Sequence, residues 1–333
     1  HSIDGGSLKF DYFSPDEKNR LSIFASAANT DRDSYYGPGN DPLKAYGKTT
    51  DLTAMGGAQY VHTFDKCFFM PSDLTAGLEY NRDRLKDNMW GYNRHTDQTV
   101  NIYSAFLQNE WKNDRWGILI GGRLDKHNMV DNVIFSPRAN LRFNPTQNIN
   151  LRLSYSSGFR APQAFDEDMH IENVGGTVAM IERAKDLKEE KSQSFSASAD
   201  MYHRFGAFQT NLLIEGFYTR LTDVFVLGKP YDRGDGILVK TRSNGPGAKV
   251  MGLTLEGKVA YLSILQIQAG LTLQRSRYDE PHKWHDDAPA EKKIFRTPDT
   301  YGYFTATCTP IKPLSIALSG TYTGRMLVQR MDI

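Results

Sequence analysis

Runs in which apolar and polar residues alternate are joined two by two across very short turns, and each pair is separated from the next by a long polar stretch. Short turns are expected at Ser14-Pro15-Asp16, Asn113-Asp114, Asn144-Pro145-Thr146, Arg204-Phe205-Gly206, Leu262-Ser263 and Pro310-Ile311-Lys312. Long loops are expected near 29–48, 84–97, 158–190, 226–249 and 275–297. In an up-and-down antiparallel sheet every second connection lies on the same side, so short turns collect on one rim and long loops on the other. That asymmetry is the one found in an outer-membrane β-barrel, with tight periplasmic turns and long extracellular loops.

The alternation gives each strand one apolar and one polar face. Ile149, Leu151, Leu153 and Tyr155 oppose Asn150, Arg152 and Ser154; Leu265, Ile267, Ala269, Leu271 and Leu273 oppose Gln266, Gln268, Thr272 and Gln274. Phe135, Ala139, Leu141 and Phe143 oppose Ser136, Arg138, Asn140 and Arg142. A soluble β-sandwich would alternate in the same way, but three features oppose it. The runs are about 10–14 residues long, whereas sandwich strands average about 5–6. The short/long rhythm is sustained down the chain, where Greek keys mix crossovers. The polar face carries bulky charges and amides in register, as a wet lumen wall would.

Composition agrees. No apolar run approaches the roughly 18–20 residues of a transmembrane helix, and mean hydropathy is −0.53, yet a barrel strand needs an apolar residue only at every other position. The 17 Tyr, 18 Phe and 4 Trp crowd the ends of the runs, where interfacial girdles would place them. With 40 basic against 39 acidic residues and a net charge of +1, nothing marks a nucleic-acid partner. The 2 Cys, Cys67 and Cys308, are too few for a disulfide framework. The first residues, His-Ser-Ile, are not a natural initiation and lead to the expectation of a processed chain or a fragment.

Pairing runs across the short turns gives about fourteen strands: 8–14 with 18–28, 50–64 with 72–84, 98–112 with 115–126, 133–144 with 148–157, 191–204 with 207–221, 250–262 with 265–276, and 298–309 with 313–325. A further short pair, 222–227 and 236–242, would extend a hairpin above the membrane. The whole of 1–333 is expected to be one partial barrel domain.

Within this reading one segment is far more specific. Leu151-Arg152-Leu153-Ser154-Tyr155-Ser156-Ser157-Gly158-Phe159-Arg160-Ala161-Pro162 resembles the strand-and-exit signature of TonB-dependent outer-membrane receptors, as does its upstream partner Phe135-Ser136-Pro137-Arg138-Ala139-Asn140-Leu141. Leu187-Lys188-Glu189-Glu190-Lys191-Ser192 is similar to the family's next strand entry, with Glu189 where proline is usual, and Phe217–Val224 is similar to its aromatic strand ending in an acidic-apolar pair. The resemblance implies a barrel of about 22 strands around an N-terminal plug, in the outer membrane of a Gram-negative bacterium. It also implies import of a scarce bulky nutrient, energised through a periplasmic coupling protein of the TonB complex. On this reading the plug, the first strands and the closing strand lie outside these residues.

No catalytic constellation stands out, and a barrel enzyme, which would need a serine or acidic dyad with a histidine partner at the outer rim, is the rival class. An iron chelate or a cobalamin-like corrinoid is the preferred cargo, with haem third. Trp90, Tyr92, Tyr231 and Trp284 are expected as exposed loop aromatics able to line a pocket for a flat cargo. His170, ten residues beyond Arg160, lies where haem-importing relatives carry a loop histidine, and imidazole is an axial haem ligand. The loop cluster His282-Lys283-Trp284-His285 offers two imidazoles, three residues apart, that could share a metal. Asp166, Glu167 and Asp168 offer oxygen ligands to Ca2+, as loops of some cobalamin-importing relatives do, with Asp166 and Asp168 the named ligands. Arg138, Arg152 and Arg160 would face the lumen, toward the plug or an anionic chelate. Besides the lipid bilayer, a surface lipoprotein is a further partner that some relatives use, with glycan or peptide cargo. A passive or adhesion barrel is the remaining alternative.

Overall fold

In the computed structural model, residues 1–35, 46–164, 172–174, 177–234, 237–283 and 289–328 are described. Eight long strands follow one another: β1 (Ser2–Phe13), β2 (Asn19–Tyr35), β3 (Tyr46–Cys67), β4 (Met70–Met89), β5 (Arg94–Lys112), β6 (Trp116–His127), β7 (Ile134–Thr146) and β8 (Ile149–Arg160). Two short strands, β9 (Glu172–Val174) and β10 (Thr177–Arg183), precede the long pair β11 (Glu190–Phe205) and β12 (Phe208–Thr222). Three more short ones follow: β13 (Phe225–Leu227), β14 (Tyr231–Asp232) and β15 (Ile237–Asn244). The chain continues through β16 (Ala248–Tyr261), β17 (Leu265–His282), β18 (Glu291–Lys293), β19 (Thr300–Ile311) and β20 (Leu314–Thr323). The long strands form one antiparallel sheet in chain order, β1-β2-β3-β4-β5-β6-β7-β8-β11-β12-β16-β17-β19-β20, with β18 beside β17. No described helix is long and apolar enough to cross a membrane.

Register preserves the alternation from strand to strand, because directly paired residues share a face. Leu141 pairs with Leu153, Leu153 with Ala197, Ala197 with Gly216, Gly216 with Leu253 and Leu253 with Leu273. One face is thus apolar across the sheet, and large side chains on it, such as Leu78, Leu153, Phe195 and Leu318, stand exposed. On the same face aromatic pairs form two levels. Trp116–Phe143 (4.2 Å between centroids) and Phe208–Tyr261 (4.7 Å) lie toward the short turns; Tyr80–Tyr103 (4.9 Å) and Tyr155–Phe195 (4.7 Å) lie toward the long connections. On β11 and β12 the levels are about ten residues apart, about 33 Å along the strand, or about 24 Å along the membrane normal at a 45° tilt. An outer-membrane barrel carries an apolar band of about 25 Å between its girdles.

Beyond the upper level the strands continue into water. The stretch 84–97, expected as a loop, is instead a polar hairpin: β4 runs to Met89, β5 starts at Arg94, and only a single 3-10 turn, Trp90–Tyr92, joins them. Its cross-strand pairs, Lys86–Asp97 (3.7 Å), Asp87–Arg94 (2.7 Å) and Asn88–His95 (2.9 Å), hold the ladder where no apolar face exists to signal a strand. Asn93, left-handed at φ 47°, closes the turn by donating its N–H to the Trp90 carbonyl. The expected turn at Asn144-Pro145-Thr146 also shifts, since β7 extends to Thr146 through an irregular register and turns at Gln147-Asn148.

The apolar face predicts its own energetics. Leu271→Arg, midway along the band, is expected to weaken insertion into lipid vesicles by about 2–4 kcal/mol, whereas Thr305→Arg on the opposite face is expected to change it little, as measured by urea-dependent folding.

Candidate functional site: a roof over the polar face

A second, five-stranded sheet, order β13-β15-β10-β9 with β14 on β15, is built wholly from the two long connections that follow β8 and β12. The short pair 222–227 and 236–242 foreseen above a hairpin corresponds to β13 against β15. Its other partner was not foreseen: β10 runs parallel to β15, from Val178 opposite Ile237 to Arg183 opposite Arg242. Two loops are therefore joined by backbone hydrogen bonds into one body.

This body rests on the polar face of the large sheet at two places. At one, Met180 and Ile237 bury Met89 and Tyr92. At the other, Val224 and Val226 pack on Ala248 and Tyr278, with Leu221 and Ile294 around them. The two anchor points, β4 and β17, lie eight strand steps apart in the sheet order, about 38 Å along the sheet. A sheet about 10 Å across from β13 to β10 can reach both only if the large sheet curls with its polar face concave. The small sheet is a roof across that concavity.

The roof holds the driest packing among the described residues. Met89 and Val239 are fully buried and Met180 nearly so, each contributing about 1.5–3 kcal/mol of apolar burial. Gly47, paired with Met89, leaves the space its side chain fills, since a Cβ there would collide with the Met89 sulfur. Polar clamps complete the attachment. Arg233 donates to the Tyr92 carbonyl (2.8 Å) and Arg183 to the Pro162 carbonyl (2.9 Å). Asn244 accepts the Lys188 N–H (2.8 Å) and donates to the Lys188 and Asp223 carbonyls (3.1 and 2.8 Å), tying both connections together. The Arg160 guanidinium lies 5.4 Å from the centroid of the Phe225 ring.

The exit segment after Arg160 folds back along the same face. The Ala164 N–H donates to Gln98 (2.8 Å), and Gln163 meets His127 (3.2 Å). His127 Nδ1 accepts the Met129 N–H (3.0 Å), so Nε2 carries the proton and donates it to the Gln163 carbonyl oxygen. His127 lies one rung beyond Lys126, the partner of the girdle residue Tyr103, and burial holds its imidazole below the usual histidine range. Nearby, also beyond the girdle, Asp51 and Asp83 occupy diagonal positions of β3 and β4, Asp51 opposite Leu85 and Asp83 opposite Thr53. Burial, with the Asp51 charge second, pushes the Asp83 carboxyl up to about 6.

The sequence-predicted residues separate. Trp90 (55% exposed) stands at the tip of the β4–β5 hairpin and Tyr231 (49%) on the roof's outer strand. Tyr92 does not stand exposed as expected. It is 9% exposed, because the 3-10 turn aims it under the roof where Met180 and Ile237 cover it. Trp284, His170, Asp166 and Asp168, and with them the haem and Ca2+ expectations, lie outside the described residues. Among the described residues no trio of His, Cys, Asp or Glu is placed to hold a metal.

Arg138, Arg152 and Arg160 share the polar, concave face, as their pairing shows: Arg138 opposite Ser156, Arg152 opposite Ser198, Arg160 opposite Glu190. Sequence reasoning did not single out Arg142, which pairs directly with Arg152. Two like charges opposite each other oppose strand pairing. Arg142 donates to the Asn113 carbonyl (3.0 Å) and Arg152 to Asn150 (2.7 Å), which relieves but does not neutralise them. With Glu110, Lys112 and Asn140 they line a hollow of about 340 Å³ near the short turns.

The curled sheet, its lipid-facing girdles and its roofed polar face define an outer-membrane β-barrel. The profile of the family described as "TonB dependent receptor-like, beta-barrel" matches residues 3–326, and the chain belongs to that family, one of transport receptors rather than enzymes, seated in the outer membrane. No curated protein matches the chain. Among solved structures it is similar to the siderophore receptor PirA from Acinetobacter baumannii (TM-score 0.70, 16% identity, 97% of this chain and 50% of that one). It is also similar to the ferric enterobactin receptor PfeA from Pseudomonas aeruginosa (0.69, 16%, 97% and 49%) and to the alcaligin receptor FauA from Bordetella pertussis (0.63, 12%, 97% and 54%). The chain thus spans about half the length of these receptors.

Two outcomes follow for the roof. Asn244→Ala leaves three backbone groups without their partner and is expected to weaken roof closure by about 1–3 kcal/mol, seen as faster amide exchange in 177–183 and 237–243. For His127 the folded pKa is depressed, so its contribution is present above the unfolded value and lost as pH falls. The protection of the Gln163 and Ala164 amides, measured relative to their intrinsic exchange rates, is expected to fall from pH 7 to pH 5, and His127→Ala to abolish that dependence.

Proposed function

We propose that this chain forms barrel wall and outer roof of a transporter that captures a ferric siderophore and imports it with energy supplied through the TonB complex. The observation that carries the reading is the concave face itself: polar, roofed on the outer side, and carrying Arg138, Arg142 and Arg152 without carboxylates paired directly opposite them. Such a wall favours an anionic occupant, and ferric chelates of catecholate type are anionic. The named cargoes of PirA, PfeA and FauA, which share the fold, support an iron chelate over the corrinoid and haem alternatives. The same arginines also suit acidic groups of a plug folded into the lumen of a barrel of about 22 strands. On this reading Trp90 and Tyr231, exposed at the outer end, make the first contact with cargo.

Calorimetry on the whole receptor with ferric enterobactin, a ferric hydroxamate, cyanocobalamin and haemin tests the proposal. One ferric chelate is expected to bind at micromolar affinity or better, and Trp90→Ala to weaken it about tenfold, a loss of about 1.4 kcal/mol. Binding of cyanocobalamin or haemin with no response to either chelate would overturn it.

A further inference from the structure

Where the roof meets the wall, guanidinium groups from three separate elements line one cleft of about 330 Å³. Arg94 opens β5, Arg183 ends β10, and Arg233 lies between β14 and β15. Ala164, in the exit segment after β8, lines the cleft as well. Arg94 is a built-in charge rather than a loose surface one. Its side chain is 11% exposed and is held (2.7 Å) by Asp87, whose own side chain is 2% exposed. Asp87 also accepts the Thr49 hydroxyl (2.6 Å), and Thr49 accepts from Arg32 (3.4 Å). Arg32, Thr49 and Asp87 occupy one rung of β2, β3 and β4, so four strands together aim one cation. The two roof arginines are aimed by carbonyls outside the roof, Arg233 by Tyr92 and Arg183 by Pro162. Closing the roof therefore brings three like charges to one cleft. Glu182 and His95 share its lining, and Glu182 and Asp87 offset part of the charge. A guanidinium presents five N–H donors in a planar fork that matches carboxylate and phosphate oxygens two at a time.

We propose that this seam binds a small multivalent anion, one carrying two or more carboxylate or phosphate groups, and that the bound anion ties the roof to the wall. Its oxygens lie between Arg94 of the wall and Arg183 and Arg233 of the roof, elements that part when the roof opens. The anion thus binds the closed arrangement better than the open one, and by linkage it shifts the roof toward closure. Size selects the ligand class. A cleft of about 330 Å³ lies at the lower end of the range for ligand pockets, and a three-armed ferric chelate is larger. A monovalent anion fits but cannot join three cations. An anionic arm of a chelate shares the chemistry of a free anion, and the test separates the two sources. The inference goes beyond the import reading, because the cleft lies away from Arg138, Arg142 and Arg152 on β7 and β8.

Calorimetry and amide exchange on the whole receptor test this with iron-free citrate, pyrophosphate and, at matched ionic strength, acetate. Citrate or pyrophosphate is expected to bind with a dissociation constant of about 0.1 mM or tighter. At about ten times that concentration either is expected to raise the protection of 178–183 and 237–242, the segments paired across β10 and β15, about tenfold. Acetate is expected to change neither. Arg233→Gln is expected to weaken the anion about tenfold, and Arg233→Lys, which keeps the charge without the fork, to weaken it less. Each variant is compared with itself, with and without anion, so a roof loosened by the substitution still reports; the comparison of anions on the unaltered receptor needs no variant. An equal effect of acetate, protection unmoved by citrate and pyrophosphate, or unchanged affinity in Arg233→Gln would overturn the proposal. So would a response to ferric citrate without one to iron-free citrate, which would give the cleft to the cargo. An anion response in a receptor that binds no ferric chelate would support the proposal while overturning the import reading.

Discussion

Everything in this molecule follows from the intolerance of hydrocarbon for an unpaired peptide group. A strand in lipid must give every N–H and C=O to a neighbour, so the chain answers with consecutive antiparallel pairs, each registered so that apolar residues stay on one face. Once that ladder is laid down the remaining features have little freedom. The polar residues, the second half of the alternation, are forced onto the concave side, and arginines that would be ruinous among acyl chains line a wet interior instead. Short turns suffice at one rim because the strands already run side by side there.

The outer end is built on a different principle. Above the upper girdle water is available again, so the ladder is no longer obligatory, and structure there rests on burial. Met89, Met180, Val239 and His127 are among the most enclosed side chains described, and all are at this end. The electrostatics of the region also differ in sign from one group to the next. His127 favours the closed arrangement when neutral, and its contribution fades toward acid. Asp83 favours it when protonated, and because its pKa is raised to about 6 its contribution fades as pH rises through that value. The two dependences run in opposite directions, so over the acid range what one group gains the other loses.

The long strands were legible because period two with one apolar face is a strong local signal. The pairing of 133–144 with 148–157 is realised as β7 with β8, and that of 191–204 with 207–221 as β11 with β12; fourteen long strands lie in the sheet order, as expected, with ends shifted by several residues. The legibility stopped where lipid stops. Residues 84–97 carry charges on both faces, so nothing in their pattern distinguishes a solvated hairpin from a loop; only the opposite signs at Lys86 and Asp97, or at Asp87 and Arg94, hint at cross-strand pairing. The roof was half legible. Ile237 and Val239 alternate as a strand should, but parallel pairing with a segment about sixty residues earlier leaves no trace in a local pattern. Tyr92 was misjudged for the same reason, since its cover comes from those distant strands. Alternation alone sets Arg138, Arg142 and Arg152 on the polar face of β7 and β8, whereas the opposition of Arg142 and Arg152 needed the register.

The parallel pair β10–β15 has a mechanical consequence. Two loops that would otherwise fluctuate separately share one set of backbone hydrogen bonds, and so they lose their independent degrees of freedom. A molecule arriving from outside cannot part them a little at a time. It must either pass around the joined sheet or displace it as a unit, releasing the Met89 and Tyr278 anchorages in turn. Entry through such an aperture is a discrete event with a threshold rather than a graded loosening.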